Sequence, residues 1–422
     1  PGTSPSSASS GQVSSGPASP SSASSGPADP EQEQLRTWQQ VYDTAYSGSW
    51  DVLGEDFTGW DSSYDGTPIP VAQMREWRAT TVDRIRSLNP RRLLEIGVGS
   101  GVFLAQLAPN CEKYVGTDLS PVAIATLGTQ LKAHPALAAR VELRAQPAHV
   151  LDGLTEGSFD TVVINSVVQY FPSGAYLETV LSNVLRLLAP GGSLFLGDLR
   201  NLLLSDCFQA GVQVTRWPGE TDPDRLRAAV EQAVADDNEL LVDPGFFTTL
   251  AERHPDVTGV DLRVRRGHGE NELSRYRYDV VLTTAPAPAQ SLAALPTLAW
   301  GTEVSDLAGL AEHLATTTTG LRLTALPNQR LLTDLVARHQ AQLHQQDSPR
   351  TELSARENVP ALEELVTFGA AAGFEVIATW SPTDPAALDV LFVDHHEPGT
   401  ARTDVYLAPA VLPATLTSTP RH

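Results

Sequence analysis

The run Arg92-Leu93-Leu94-Glu95-Ile96-Gly97-Val98-Gly99-Ser100-Gly101 decides the fold. An apolar strand, expected over 92–97, feeds three glycines spaced two apart, and Val102-Phe103-Leu104-Ala105-Gln106-Leu107 follows as a helix. Glycine belongs where backbone takes positive φ or passes close to a ligand. A helix start offers unpaired N–H groups to whatever sits in the turn. The spacing is G-x-G-x-G, with Val102 where the dinucleotide fingerprint needs its last glycine. The turn therefore favours a smaller nucleoside ligand over a cradled pyrophosphate. Alone, it could equally be a tight strand–helix connection.

The next acid narrows the choice. Lys113-Tyr114-Val115-Gly116-Thr117-Asp118 reads as a second strand ending in a carboxylate. Nucleotide-binding α/β sheets place an acid about 20 residues after the glycines to accept from ribose hydroxyls. Asp118 could instead cap the helix beginning near Ser120-Pro121. The glycine turn and the acid together point to a ribose site.

Working outward, strands are expected at 140–145, 159–165 and 192–198, with helices between. This is the rhythm of a parallel, doubly wound sheet. Leu187 to Gly192 reads as a helix stop with a Pro-Gly-Gly turn, and 203–254 as a helical insertion. Strands at 261–267 and 275–284, joined by the polar stretch 267–272, suggest an antiparallel hairpin closing the edge of a core that spans 91–284. Before the core, 31–90 reads as an N-terminal cap. It holds helical patterning from Leu35 to Tyr46 and an aromatic loop from Phe57 to Gly66. A helix starting at Pro70 carries Met74, Trp77, Ile85 and Leu88 on one core-facing stripe. In the loop, Trp60, Ser62, Ser63 and Tyr64 are candidates for a lid. After the core, 285–300 reads as a linker, 297–396 as a small α+β subdomain and 397–422 as a tail of little pattern. Residues 1–30 are almost all Pro, Ser, Ala and Gly and read as a disordered linker. A start at Pro1 rather than Met suggests a piece of a longer polypeptide.

The 422-residue chain carries a net charge of −21, which argues against sequence-independent nucleic-acid binding. No apolar run approaches membrane-spanning length and no secretory pattern opens the sequence, so a cytoplasmic location is expected. The two cysteines, Cys111 and Cys207, stand in no metal or redox spacing. His395-His396 before Glu397 makes a poor chelate, because neighbours on a strand point apart, and no metal is expected.

The chain resembles the methyltransferase domains of nonribosomal peptide synthetases, especially those embedded in interrupted adenylation domains. The matching strings are Phe57 to Gly66 with Pro68-Ile69-Pro70, Leu94 to Gly101, Gly116-Thr117-Asp118 and Asn165 to Pro172. Gly197 to Asn201, Asn271 to Asp279 and Pro327 to Arg330 match as well. They run from about residue 40 to 395. The resemblance implies a class I, Rossmann-like α/β fold. It implies S-adenosylmethionine as methyl donor, S-adenosylhomocysteine as product and no metal. The acceptor would be an aminoacyl thioester on the phosphopantetheine arm of a carrier protein. The adjoining adenylation domain and an MbtH-like accessory protein are implied partners.

On this resemblance, Gly97, Gly99 and Gly101 meet the methionine part and the sugar. Glu95 accepts from the donor ammonium, or serves only as a loop hydrogen-bond partner. Asp118 takes the ribose diol and Leu119 lies against the adenine face. Gln146, Pro147 and Ala148 contact the adenine edge, or form a plain turn. Asn165 and Ser166 end the fourth strand at the methionine moiety. Gln169 and Tyr170 border the acceptor, although Tyr170-Phe171 could be core. Asp198 orients the acceptor amine or takes its proton, unless it only bonds Arg200 or Asn201, and Arg200 faces the same crevice. His268 and Glu270 are acid–base candidates or simply an exposed turn. One of the pairs Tyr276/Tyr278 and Arg275/Arg277 should face the interior and the other solvent. The expected reaction is backbone N-methylation. Side-chain O- or S-methylation and a catalytically silent spacer domain are the alternatives. Val102 and the late hairpin disfavour a nicotinamide-dependent oxidoreductase.

Overall fold

The computed structural model describes residues 29–48, 52–219, 222–317, 319–342, 359–394 and 399–421. Residues 1–28 of the expected linker, and His395 to Glu397, lie outside the described residues.

Two helices precede the sheet: α1 (Pro30–Ala45), capped by the Asp29 side chain, and α2 (Val71–Arg86), which follows Pro70. The sheet strands in chain order are β1 (Arg92–Ile96), β2 (Lys113–Asp118), β3 (Val141–Ala145), β4 (Phe159–Asn165), β5 (Leu188–Arg200), β6 (Val257–Val264) and β7 (Arg277–Thr284). Their spatial order is β3-β2-β1-β4-β5-β7-β6. The first five run parallel, and β7 lies antiparallel between β5 and β6. The late strands thus close the edge as a hairpin, with β6 outermost. β1 reads as a continuous apolar run because helices cover both faces of the sheet; Leu93, Leu94 and Ile96 are all buried.

The connecting helices are α3 (Leu104–Leu107), α4 (Pro121–Leu131), α5 (Pro135–Ala138), α6 (Gly174–Leu187), α7 (Ser205–Arg216), α8 (Pro223–Ala235), α9 (Gly245–Arg253) and α10 (Glu272–Tyr276). α6 buries Tyr176, Leu177, Val180, Leu181, Val184 and Leu187 on one face. Each such side chain contributes ~1.5–3 kcal/mol of burial. The helix after the glycines is shorter than the sequence suggests. α3 has four residues and gives way to a 3₁₀ turn at Ala108–Asn110, where Pro109 cannot extend it.

The stretch expected as a linker holds two short strands, β8 (Ala289–Ser291) and β9 (Thr297–Ala299). α11 (Leu307–Thr316), β10 (Leu321–Pro327), α12 (Leu332–Gln342) and a helix at Leu362–Ala371 follow, then β11 (Glu375–Trp380) and β12 (Ala387–Val393). β11-β12-β10-β9 form a second sheet. One apolar cluster runs from Leu94 and Leu194 through Leu262 to Trp380 and Phe392, so the two sheets share a core. The tail is not featureless. β13 (Ala401–Thr403) pairs with β8, Val405 and Tyr406 are buried, and Ser418 N donates to Leu241 O.

Among the described residues, no helix is long and apolar enough to cross a membrane.

Candidate active site

The parallel strands reverse their order between β1 and β4, and α/β sheets bind ligands beyond the carboxyl ends of their strands at such a point. A crevice of about 690 Å³ opens there. Its floor is the β1 turn. Gly97 has φ 82°, and an added Cβ would lie 2.2 Å from Val167 Cγ2. Gly99 has φ 49°, and its added Cβ would lie 2.9 Å from Tyr46 Oη. Only glycine leaves this cradle open. Gly101 is different. It is not among the crevice-lining residues, and a Cβ there would meet Leu127 Cδ1 at 2.8 Å. Its role is to let the turn pack on α4, which corrects its assignment to the donor.

Asp118 is buried at the end of β2. Its Oδ2 accepts from Gly99 N and its Oδ1 from Ser120 N, both at 2.8 Å. The α4 cap is Ser120 instead, whose Oγ accepts from Ala123 N. A carboxylate has about four acceptor sites, so Asp118 can brace the turn and still accept from a diol. Burial raises its pKa to about 6, the two backbone N–H groups oppose the rise, and Asp43 adds to it. Glu95 lines the crevice from below. Burial pushes its carboxyl up to about 8, while the Tyr114 hydroxyl that donates to it opposes the shift and Asp118 adds to it. Leu119, Gln146, Pro147 and Ala148 line the β2–β3 side, and Gln146 N donates to Asp118 O. These residues fit the cationic nucleoside S-adenosylmethionine: an open glycine cradle, a buried carboxylate beside it and a second carboxyl below.

Asn165, Ser166, Gln169 and Tyr170 line the crevice after β4. Ser166 and Asp198 are two of five described non-glycine residues with positive φ, at 56° and 62°. Each such conformation costs of order 1–3 kcal/mol and persists only where surroundings enforce it. They meet: Ser166 Oγ donates to Asp198 Oδ2 at 2.9 Å and accepts from Asn165 Nδ2 at 2.8 Å. Gln169 Oε1 is buried with no partner among the described residues.

Asp198 itself does not reach the crevice. It is fully buried, accepting from Trp77 Nε1 at 3.4 Å and from Arg277 Nη1 at 3.2 Å, with Arg265 Nη1 3.9 Å away. This corrects the expectation that it touches the acceptor amine, and its partners are neither Arg200 nor Asn201. Arg200 does line the crevice, gripped by both oxygens of Asp237 at 2.7–2.8 Å and by Glu239 at 2.9 Å. His268 is exposed outside the crevice, only its backbone N–H bonding Glu76, and Glu270 is exposed too. The part of the polar connection they sit on is tied to α2, where Glu76 accepts from the N–H groups of His268 and Gly269, and neither side chain lines the crevice, so neither serves as an acid–base group here.

The aromatic loop is fastened at both sides. Glu272 accepts from Ser63 N at 2.7 Å and from Ser63 Oγ at 2.8 Å, and the Trp60 ring packs tilted against Trp77, 4.7 Å between centroids. Trp60 and Ser63 face the crevice; Tyr64 does not, because its hydroxyl donates to Asp334 on α12 at 2.7 Å. Tyr276 Oη donates to the same oxygen at 2.6 Å, and Arg275 Nη1 stands 3.4 Å away. Tyr276 ends α10, so strand alternation starts only at Arg277. Tyr276 and Tyr278 are buried, yet neither arginine turns to open solvent.

Three crevice residues had no role in the sequence reading: Trp38, Tyr42 and Tyr46. Trp38 and Tyr42 lie 4.6 and 5.1 Å from the Tyr170 ring. Their i, i+4, i+8 spacing was the available signal, since it sets all three on one face of α1. Asp43 and Glu31 fasten α1 by accepting from Ser120 and Ser173, the caps of α4 and α6. Arg277 and Glu272 were missed as well, because they reach the crevice only through the hairpin fold.

Among the described residues no three metal-ligating side chains stand together.

A methyltransferase-domain family model matches residues 94–194. The chain is 40% identical over 374 residues to a probable nonribosomal peptide synthetase, CymA, of Salinispora arenicola, covering 89% of this chain and 4% of that protein. It is 41% identical over 317 residues to chondramide synthase of Chondromyces crocatus, covering 72% and 8%. It is 36% identical over 262 residues to the beauvericin synthetase of Gibberella fujikuroi, covering 60% and 8%. The chain thus spans less than a tenth of each of these relatives. Among solved structures, the N-methyltransferase NodS of Bradyrhizobium japonicum matches with a TM-score of 0.38 and 20% identity, over 58% of this chain and 98% of that one. The family match runs from β1 into β5, the strands whose ends build the crevice; the chain thus carries a methyltransferase domain and is similar over most of its length to segments of nonribosomal peptide synthetases.

Proposed function

We propose that this domain methylates the backbone amine of an aminoacyl thioester presented on the phosphopantetheine arm of a carrier protein. When bound, S-adenosylmethionine supplies a methyl carbon activated by its sulfonium and departs as S-adenosylhomocysteine. Glu95, Gly97, Gly99, Asp118, Leu119, Gln146, Pro147, Ala148, Asn165 and Ser166, all of which line the crevice, would hold it. The chain's task at the acceptor is orientation, since an in-line displacement needs the nucleophile aligned with its lone pair free.

The observation that carries the reading is Gln169 Oε1, a buried acceptor without a partner in the crevice wall. It suits an amine N–H and leaves the nitrogen lone pair free. A second observation favours nitrogen over a hydroxyl. Among the described crevice residues there is no histidine, the carboxylates of Asp237, Glu239 and Glu272 are taken up by Arg200 and Ser63, and Asp61 and Asp236 are exposed to solvent. An α-amine titrates near ~7.7–8, so a neutral fraction exists without a base; a hydroxyl would require one. The partners on this reading are the carrier, an adjoining adenylation domain that this segment interrupts, and an MbtH-like accessory protein, in the cytoplasm.

The test is mass spectrometry of an aminoacyl-loaded carrier after incubation with the donor. A mass gain of one methyl, placed by fragmentation on the α-nitrogen, is expected. A methyl on the side chain would select the O- or S-methylating alternative, and donor binding without transfer to any loaded carrier would favour a silent spacer.

A further inference from the structure

We infer that Arg277 binds the acyl carbonyl oxygen of the acceptor, and that the domain thereby selects acylated amino acids over free ones. This rests on the reading of the site as an acceptor-amine methyltransferase.

Arg277 opens β7 and pairs in register with Arg200 at the end of β5. Directly opposed residues of an antiparallel pair share a face, where like charges repel. The two guanidinium groups are treated differently. Arg200 is satisfied by Asp237 and Glu239. Arg277 spends one nitrogen, Nη1, on Asp198 Oδ2 at 3.2 Å and Asp198 O at 3.3 Å. Its side chain is 12% exposed and lines the crevice. Nε and Nη2 have no partner among the described residues, so a largely buried cation faces the acceptor chamber with donors to spare.

Asp198 fixes that aim. It stands in the left-handed region at a register shift of β5, held by Ser166, Trp77 and the Asp279 carboxylate that accepts its N–H at 2.9 Å. A strained residue so thoroughly clamped is a positioning residue for the guanidinium it grips.

Charge decides what Arg277 takes. Leaving out Glu95, which burial keeps largely protonated, the crevice wall carries six carboxyl groups against three guanidinium groups. The carboxylate of a free amino acid would enter that excess of negative charge. The neutral C=O of a thioester or amide accepts a hydrogen bond from Arg277 without adding charge. In an aminoacyl group that oxygen lies two bonds from the α-carbon bearing the amine, so fixing it fixes the nitrogen.

The experiment uses the whole chain loaded with S-adenosylhomocysteine, and reads acceptor binding by calorimetry. The probes are aminoacyl N-acetylcysteamine thioesters, the same amines with CH₂ in place of C=O, and free amino acids. Methyl transfer is followed in parallel with the donor. For the wild type, thioesters should bind best. Arg277→Met and the charge-keeping Arg277→Lys should weaken thioester binding about 10- to 100-fold, as expected for one hydrogen bond to a charged donor. Binding of the carbonyl-free amines should not change, and S-adenosylhomocysteine affinity should stay within about twofold, which also reports an intact fold. Equal loss for amines with and without the carbonyl, or no loss for thioesters, overturns the inference. A wild type that neither binds nor methylates any acceptor overturns the functional reading instead.

Discussion

Donor binding should release a proton, and Glu95 should be its source. In the free protein burial holds the Glu95 carboxyl at about 8. At pH 7 only about one molecule in ten is then ionised. An ammonium placed beside it favours the charged form, so the group must deprotonate as the ligand enters. The sign follows directly. The ligand prefers the deprotonated protein, so affinity rises with pH and the gain ends near pH 8, where the free group is ionised already. From pH 6 to pH 8 the ionised fraction grows from about one in a hundred to one half, a ~50-fold gain in affinity or about 2.3 kcal/mol. Asp118, held at about 6, adds a smaller step at the lower end. S-Adenosylhomocysteine is the ligand of choice, since it carries the amino group and transfers nothing. Calorimetry at pH 7 in two buffers of different ionisation enthalpy counts the protons. About one per ligand is expected, and close to none in Glu95→Gln, whose affinity should also vary far less between pH 6 and 8. Tight binding by the wild type with no proton release would refute the placement of Glu95 at the donor.

Further outcomes follow from the same geometry. Asp118→Ala removes the acceptor for Gly99 N and Ser120 N as well as for a sugar, and should weaken donor binding by ~1–3 kcal/mol in the same titration. Gly97→Ala meets Val167 Cγ2 at 2.2 Å and adds ~1–2 kcal/mol of left-handed strain. Donor affinity should fall at least about tenfold, and Val167→Ala in the same chain should restore part of it, a coupling that a double-mutant cycle measures. Gly211→Ala would drive a Cβ to 2.2 Å from Asp334 Oδ1 and should cost roughly 1–3 kcal/mol of stability in urea denaturation. Asp334→Ala leaves the Tyr64 and Tyr276 hydroxyls and Arg275 without their shared acceptor and should cost about 3–5 kcal/mol. In that variant the acceptor KM should rise more than the donor Kd, because the aromatic loop is the part released.

The glycine-turn side of the crevice was legible in the sequence because it is built from strand ends. Gly97, Gly99, Asp118, Gln146, Asn165 and Ser166 each sit within a few residues of an apolar run, and a parallel sheet carries every strand end to one edge. Their placement at the crevice could be read from local order alone. Gly101 and Asp198 stand on the same segments, but their roles are set by what packs against them from elsewhere in the chain, Leu127 for one and Trp77 with Arg277 for the other.

The opposite side, built by the aromatic loop and the hairpin, followed a different logic. Ser63 meets Glu272 across 209 residues, Tyr64 meets Asp334 across 270, and Arg277 meets Asp198 across 79. No periodicity or short spacing encodes such pairs, because each depends on how separate elements dock. The amino-acid order by itself determined the strand–turn–helix repeat, the glycine cradle and the acid at the end of β2, since backbone sterics and apolar alternation act within a few residues. Only the tertiary structure decided which carboxylates face the crevice and which are spent on arginines, because burial and ion pairing belong to neighbours brought together from distant parts of the chain.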